Sequence, residues 1–182
     1  IRFGMWQEII KLKQPDDKDL YVTTNALIYY AKAIAYANLG KNSDAVLCMA
    51  KFSDAYAHVP DSRHLFNNKS RDVLEIANEM MKGEVAFKTG DRVEGLNFLR
   101  NAVKLDDSLN YEEPWSWPQP TRHVLGALLL EAGEFEEAES LYKADLGLDG
   151  KLPRPSQHPK NVWALHGLHE CLTKRNDTIE LP

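Results

Sequence analysis

Cysteine is scarce: the 182 residues hold two, Cys48 and Cys171. They stand far apart, each inside an apolar helical pattern. That is no disulfide framework, and it reads as two buried, reduced thiols in a cytoplasmic protein. Long apolar runs are also missing, since none approaches the roughly 18 residues of a membrane span. No basic stretch followed by an apolar one opens the chain in the manner of a secretory signal. The first residue is Ile1 and not Met, which reads as a piece of a longer chain, with any targeting signal upstream. Basic charge is not in excess. Lys and Arg number 22 against 27 Asp and Glu, for a net charge of -5. Such a chain lacks the footprint that neutralises phosphates, so nucleic acid is not the expected partner. Catalytic signatures are absent as well: no Gly-x-Ser-x-Gly, no phosphate-cradling glycine loop and no His-Glu-x-x-His. No enzyme and no cofactor is expected. No run of residues alternates like a strand.

What the sequence has is helical periodicity. With 43% hydrophobic and 27% charged residues, it has the make-up of a folded domain, and its length fits one. Asn25–Leu39 places Leu27, Ile28, Ala31, Ile34 and Ala35 at three-and-four spacing, an amphipathic helix. Gly40 ends it and Ser43 is placed to cap the next helix, which runs to about His58. Pro60 closes that helix. Residues 60–69 read as a loop with Phe66 turned inward. A helix from Ser70 to Lys88 stops at Thr89-Gly90. Asp91 with Glu94 forms a capping box for a helix to Leu105. After a long connection, helices are expected over Gln119–Glu131, Phe135–Leu146 and Lys160–Lys174, with a frayed tail. The amphipathic FGMWQEII within Ile1–Leu12 reads as a short helix capping the array.

Aligned on the turn glycines Gly40, Gly90 and Gly133, the hairpins repeat. Ala33, Gly83 and Gly126 each stand seven residues before the turn, and Ala45, Gly95 and Ala138 five after it. Met49, Leu99 and Tyr142 stand nine after it. Small residues at the first two positions let paired helices approach. The large third residue fills the gap to the next hairpin, because one hairpin alone cannot bury its face.

This pattern resembles the tetratricopeptide repeat. Leu125-Gly126, Gly133, Ala138 and Tyr142 carry the likeness best, and Trp163 and Gly167 match the start of a further first helix. A narrower likeness, to the C-terminal part of larger multi-repeat proteins of that family, rests on Tyr111, Glu113, Pro114, Trp117, Pro120, Arg122 and Leu125–Ala127. The spacings between successive small positions all exceed the usual ~34 residues, which implies a less regular array. The resemblance implies an all-α fold, a right-handed superhelical array of antiparallel helix hairpins. It divides residues 1–182, read as one domain, into a cap or upstream end (1–20), repeats at 25–59, 70–105 and 119–147, and a half repeat at 159–175.

It also implies a function: a scaffold that binds a protein or peptide and not a nucleic acid or membrane. In the family register the concave groove would hold Tyr30, Ile34 and Asn38, then Met80, Met81, Glu84, Phe87 and Lys88, then His123, Ala127, Leu130 and Glu131. That set suits a helix or extended peptide with apolar anchors; the alternative is that these side chains pack within the array. Tyr30 and Ile34 stand where a carboxylate-gripping relative would carry Lys and Asn, so that role is not expected. A structural segment of a longer solenoid or of an oligomer is the other reading. Trp115 and Trp117, among three prolines, read either as the packed start of the third hairpin or as an aromatic platform for a Pro-rich or cationic ligand. The two readings coexist if one ring is buried and the other exposed. His166 and His169 share a helix face, and a metal there is the remote alternative to a polar helix edge; no metal is expected. The run Glu131, Glu134, Glu136, Glu137 and Glu139 reads as a solvated helix start.

Overall fold

Three glycines set the hairpins. Gly40, Gly90 and Gly133 have φ of +69°, +111° and +86°, a left-handed conformation in which any Cβ is strained. Each reverses the chain between two helices. A computed structural model describes residues 1–176. The described elements are helical apart from one two-residue strand pair: α1 (Trp6–Ile9), α2 (Val22–Asn38), α3 (Asn42–Ala57), β1 (His64–Leu65), β2 (Asn68–Lys69), α4 (Ser70–Thr89), α5 (Arg92–Asp107), α6 (Thr121–Ala132), α7 (Phe135–Leu146) and α8 (Val162–Lys174). Helices α2 and α3, α4 and α5, and α6 and α7 pack as hairpins, α2 also packs on α4, and α8 packs on α6 and α7. The fold class is all-α.

The chain forms two compact units, Ile1–Pro118 and the part from Gln119 onward. The sequence reads as one domain; the structure gives each part its own core. In the first, Ile34, Phe52, Leu74, Ile76, Met80, Met81 and Leu99 are fully buried. Helices α4 and α5 meet backbone to backbone at Gly83 and Gly95. A Cβ on Gly83 would lie 2.9 Å from the Gly95 carbonyl oxygen, and one on Gly95 2.8 Å from that of Gly83. The small positions of the repeat are therefore points of closest approach.

In the second unit the large repeat position does the joining. The ring of Tyr142, on α7, is buried between Gly126 of α6 and Gly167 of α8. A Cβ at Gly126 would lie 2.6 Å from Tyr142 Cζ, and one at Gly167 2.5 Å from its Cε2. Leu125, Leu129, Ala138, Ala164 and Cys171 complete this core.

Several local expectations differ from the structure. Ser43 does not cap α3, because it lies inside the helix; Lys41 holds the N-cap position with no side-chain bond, its ammonium having no acceptor to offer. At Asp91 half of the capping box is seen, Oδ1 accepting from Glu94 N at 3.2 Å. Residues 60–69 are not a plain loop: His64–Lys69 and Leu65–Asn68 pair antiparallel. Phe66 sits at that tip with φ +50° and is 70% exposed, not turned inward. The initial helix is short, Trp6–Ile9. Pro120 precedes α6 as its N-cap residue. The Glu113–Pro114 bond is cis. The expected frayed tail, from residue 177 on, lies outside the described residues.

Candidate functional site

The connection after α5 is held by an asparagine clamp. Asn68, buried on β2, donates to the Asn110 carbonyl at 2.9 Å and to Ser116 Oγ at 3.1 Å, and accepts from Asn110 N at 2.8 Å. Asn67 donates to the Tyr111 carbonyl (2.9 Å), and its own N–H reaches Glu112 Oε2 (2.7 Å). Asn110 returns a bond to the Asn67 carbonyl at 3.2 Å. The strand pair thus serves as a fixture for residues 110–116, and so sets where Trp117 goes.

Trp117 goes inward. It is 6% exposed and meets the ring of Tyr30 (α2) edge-on, centroids 5.6 Å apart at 72°. Trp115 is 49% exposed. One ring is thus packed and the other exposed.

Around Tyr30 the unit is polar where a core is ordinarily apolar. Tyr30 Oη, Trp117 Nε1 and Glu84 Oε1 are all shut from solvent, and none has a hydrogen-bond partner among the described residues. Tyr30 joins the three, touching Trp117 and feeling the charge of Glu84 on α4. Burial, and then Glu84, push the Tyr30 hydroxyl well above its ordinary value. Burial raises the Glu84 carboxyl to about 7, against the pull of the Ile1 amino group and Lys88. Near neutral pH it is therefore poised between acceptor and donor. Glu84 as a residue is half-buried, while its Oε1 is closed to solvent.

The apolar groove residues lie elsewhere than a groove would have them. Ile34, Met80, Met81 and Phe87 are buried in the first unit by its own helices. Their apolar spacing is that of a packed face, and here it is packed. Leu130, on α6, is half-buried.

His123 belongs to a different arrangement. It is buried on α6, and its Nε2 lies 2.8 Å from Asp145 Oδ2. His158 Nδ1 lies 2.8 Å from Asp145 Oδ1, and His158 N donates to the Asp145 carbonyl at 2.6 Å. Burial alone would push the Asp145 carboxyl up. The hydrogen bonds from the two imidazoles, and then their charge, more than offset it and hold the group below the usual range. With a ring nitrogen of each imidazole committed to this carboxylate, the trio ties α6, α7 and the 147–159 loop together. Among the described residues no group of three or more His, Cys, Asp and Glu is placed to hold a metal. His166 and His169 lie exposed on α8. The thiols of Cys48 and Cys171 are unpaired and buried; burial, foremost among several influences, raises Cys171 to about 11. No described helix is long and apolar enough to cross a membrane.

Compared with family models, with curated proteins and with solved structures, the chain matches none. The site is therefore read from its own geometry. Sequence reasoning placed Tyr30, Glu84 and Trp117 among candidate residues without joining them, and it missed the asparagine clamp and the Asp145–His158 pair. The doubled Asn67-Asn68 beside a turn was the available signal for the clamp. Nothing in the spacing of Asp145 and His158 announces their contact.

Proposed function

We propose that this chain is a non-catalytic scaffold for protein–protein interaction, an array of the tetratricopeptide kind whose first-helix face receives a segment of a partner protein. The observation that carries the reading is the trio of unpartnered polar atoms on Tyr30, Trp117 and Glu84. A buried donor or acceptor left unmade costs about 1–3 kcal/mol, and folded proteins keep very few. These three, on Tyr30, on Trp117 in contact with it and on Glu84, are polar groups that the packing of the unit itself leaves unanswered. The apolar residues Ile34, Met80, Met81 and Phe87 support the site from beneath and do not contact the partner. The unpaired thiols support a reducing setting, the cytoplasm.

A displayed library of random peptides tests this. Enriched peptides should compete with one another and weaken on Tyr30→Phe or Trp117→Phe, with circular dichroism unchanged. A folded chain that enriches no peptide overturns the scaffold. Substituting Met80 or Met81 is no substitute for that test, since a charge there strikes the core.

A second reading, a structural segment of a longer solenoid or oligomer, is favoured by α8. Its outer side leaves Val162, Trp163 and Leu165 exposed, apolar area of the kind that neighbouring repeats cover.

A further inference from the structure

We propose that the exposed ridge Tyr111–Trp115 binds an arginine side chain on a segment of a partner protein, at a surface separate from the first-helix face. Glu112 and Ser116 are buried on this connection, while Tyr111, Glu113, Pro114 and Trp115 are exposed. Each buried residue is pinned to the strand pair. Glu112 Oε2 accepts from Asn67 N at 2.7 Å, and Ser116 Oγ accepts from Asn68 Nδ2 at 3.1 Å. A connection held at two points by buried polar groups keeps its outward side chains in place. Those side chains are largely aromatic. Tyr111 is 54% exposed and Trp115 nearly as much, and Phe66 stands exposed beside the clamping Asn67. Apolar side chains exposed singly are ordinary, whereas several gathered on one pinned segment with a polar rim mark a binding surface, and aromatic rings are enriched in such surfaces.

Glu113 decides the occupant. Its Oε1 accepts from the Tyr111 hydroxyl, which sets a carboxylate beside an aromatic ring. Among the described residues Glu113 has no cationic partner. Between Lys104 and Arg122 the sequence adds Asp106, Asp107 and Glu112 and no basic residue. Arg63, His64 and Lys69 stand at the open end of the strand pair, away from the Phe66-Asn67 tip that meets the ridge. Exposed rings with a carboxylate among them suit a positive side chain. A guanidinium answers both at once, because its flat face lies on a ring while its N–H fork reaches a carboxylate; an ammonium is a compact, strongly hydrated point charge. An acidic segment is repelled by Glu113, and a proline-rich one leaves that carboxylate unanswered.

The test uses the whole chain with its tryptophan indoles labelled with nitrogen-15. The four indole N–H resonances are followed while Gly-Arg-Gly-Arg-Gly, blocked at both ends, is added. Its citrulline counterpart, which keeps the shape and loses the charge, and blocked pentaproline are separate titrations. The Trp115→Phe variant identifies the Trp115 signal. The arginine peptide should move that signal saturably, with those of Trp6, Trp117 and Trp163 unmoved. The citrulline peptide should bind roughly three- to thirtyfold more weakly. Glu113→Gln, with circular dichroism unchanged, should weaken the arginine peptide roughly two- to fivefold. An arginine peptide that leaves the Trp115 signal in place overturns the proposal. So does a citrulline peptide that binds equally well, since charge then plays no part, and so does a Glu113→Gln chain that binds like the native one. If pentaproline alone moves the signal, the ridge is a platform for proline and the proposal falls. If the signal moves with protein concentration alone, a second copy of the chain covers the ridge and the proposal falls. The first-helix reading fails separately. Enriched peptides that lose binding on Trp115→Ala but not on Tyr30→Phe would leave the ridge and remove the first-helix face.

Discussion

Replacing Gly167 by Ala should destabilise the second unit although alanine is the better helix former. On an exposed helix the change gains about 1 kcal/mol. Here the new Cβ would stand 2.5 Å from Cε2 and 2.6 Å from Oη of Tyr142, where carbon contacts settle near ~3.5–4.0 Å. The ring must move by about 1 Å. It has no room on its far side, because its Cζ already abuts Gly126, where a Cβ would lie 2.6 Å away. Overpacking of this kind costs about 1–3 kcal/mol. The net loss should be up to about 2 kcal/mol. With a urea slope of about 1–3 kcal/mol per molar, the unfolding midpoint by circular dichroism should fall by up to ~2 M. The decisive arm is Tyr142→Leu, which deletes Cε, Cζ and Oη together. In that background Gly167→Ala has nothing to strike, and its effect should reverse to a gain of up to about 1 kcal/mol. Equal losses in both backgrounds would mean that the two sites are independent, and the argument from close approach would be refuted.

Three other perturbations follow from the same geometry. Glu84 has its folded value raised to about 7, so its contribution is fully present below the ordinary carboxylate value of 4.5 and is lost as pH rises through 7. Glu84→Gln should match the native chain at pH 4 and exceed it at pH 8 by on the order of 3 kcal/mol; melting curves that stay parallel across that range would refute this. Asn68→Ala removes three hydrogen bonds of a buried side chain and should cost roughly 2–4 kcal/mol, with greater quenching of Trp117 fluorescence by acrylamide; unchanged quenching would show that the clamp does not position the ring. Asp145 has a lowered value, so its stabilisation is present above its unfolded value and lost as pH falls through the folded one. Asp145→Asn should cost about 1–3 kcal/mol at pH 7 and flatten the acid limb of the stability profile, which differential scanning calorimetry reads.

The fold was legible where one residue type serves one local need. Gly40, Gly90 and Gly133 announce hairpin turns because a left-handed residue without Cβ is close to a requirement there. Gly83, Gly95, Gly126 and Gly167 announce close approach, because the repeat places them opposite one another. The apolar stripe through Ile34, Met80, Met81 and Phe87 was equally visible, yet its meaning was not. Hydrophobic spacing reports that a face is covered, and it carries no mark of what covers it. A groove for a partner and a core shared by α2 and α4 write the same pattern. The polar residues escaped for the opposite reason. Asn68 and Asn110, or Asp145 and His158, are joined by a chain path that bends twice before they meet, and no period records it. Trp117 lies between these cases. Its prolines marked the start of a hairpin, but its burial depends on the Asn68 fixture, which depends in turn on a strand pair too short to alternate. The residues that break the pattern are thus the ones that spacing alone does not read. Tyr30 and Glu84 each bring a buried polar atom without a hydrogen-bond partner among the described residues, and no apolar period marks it.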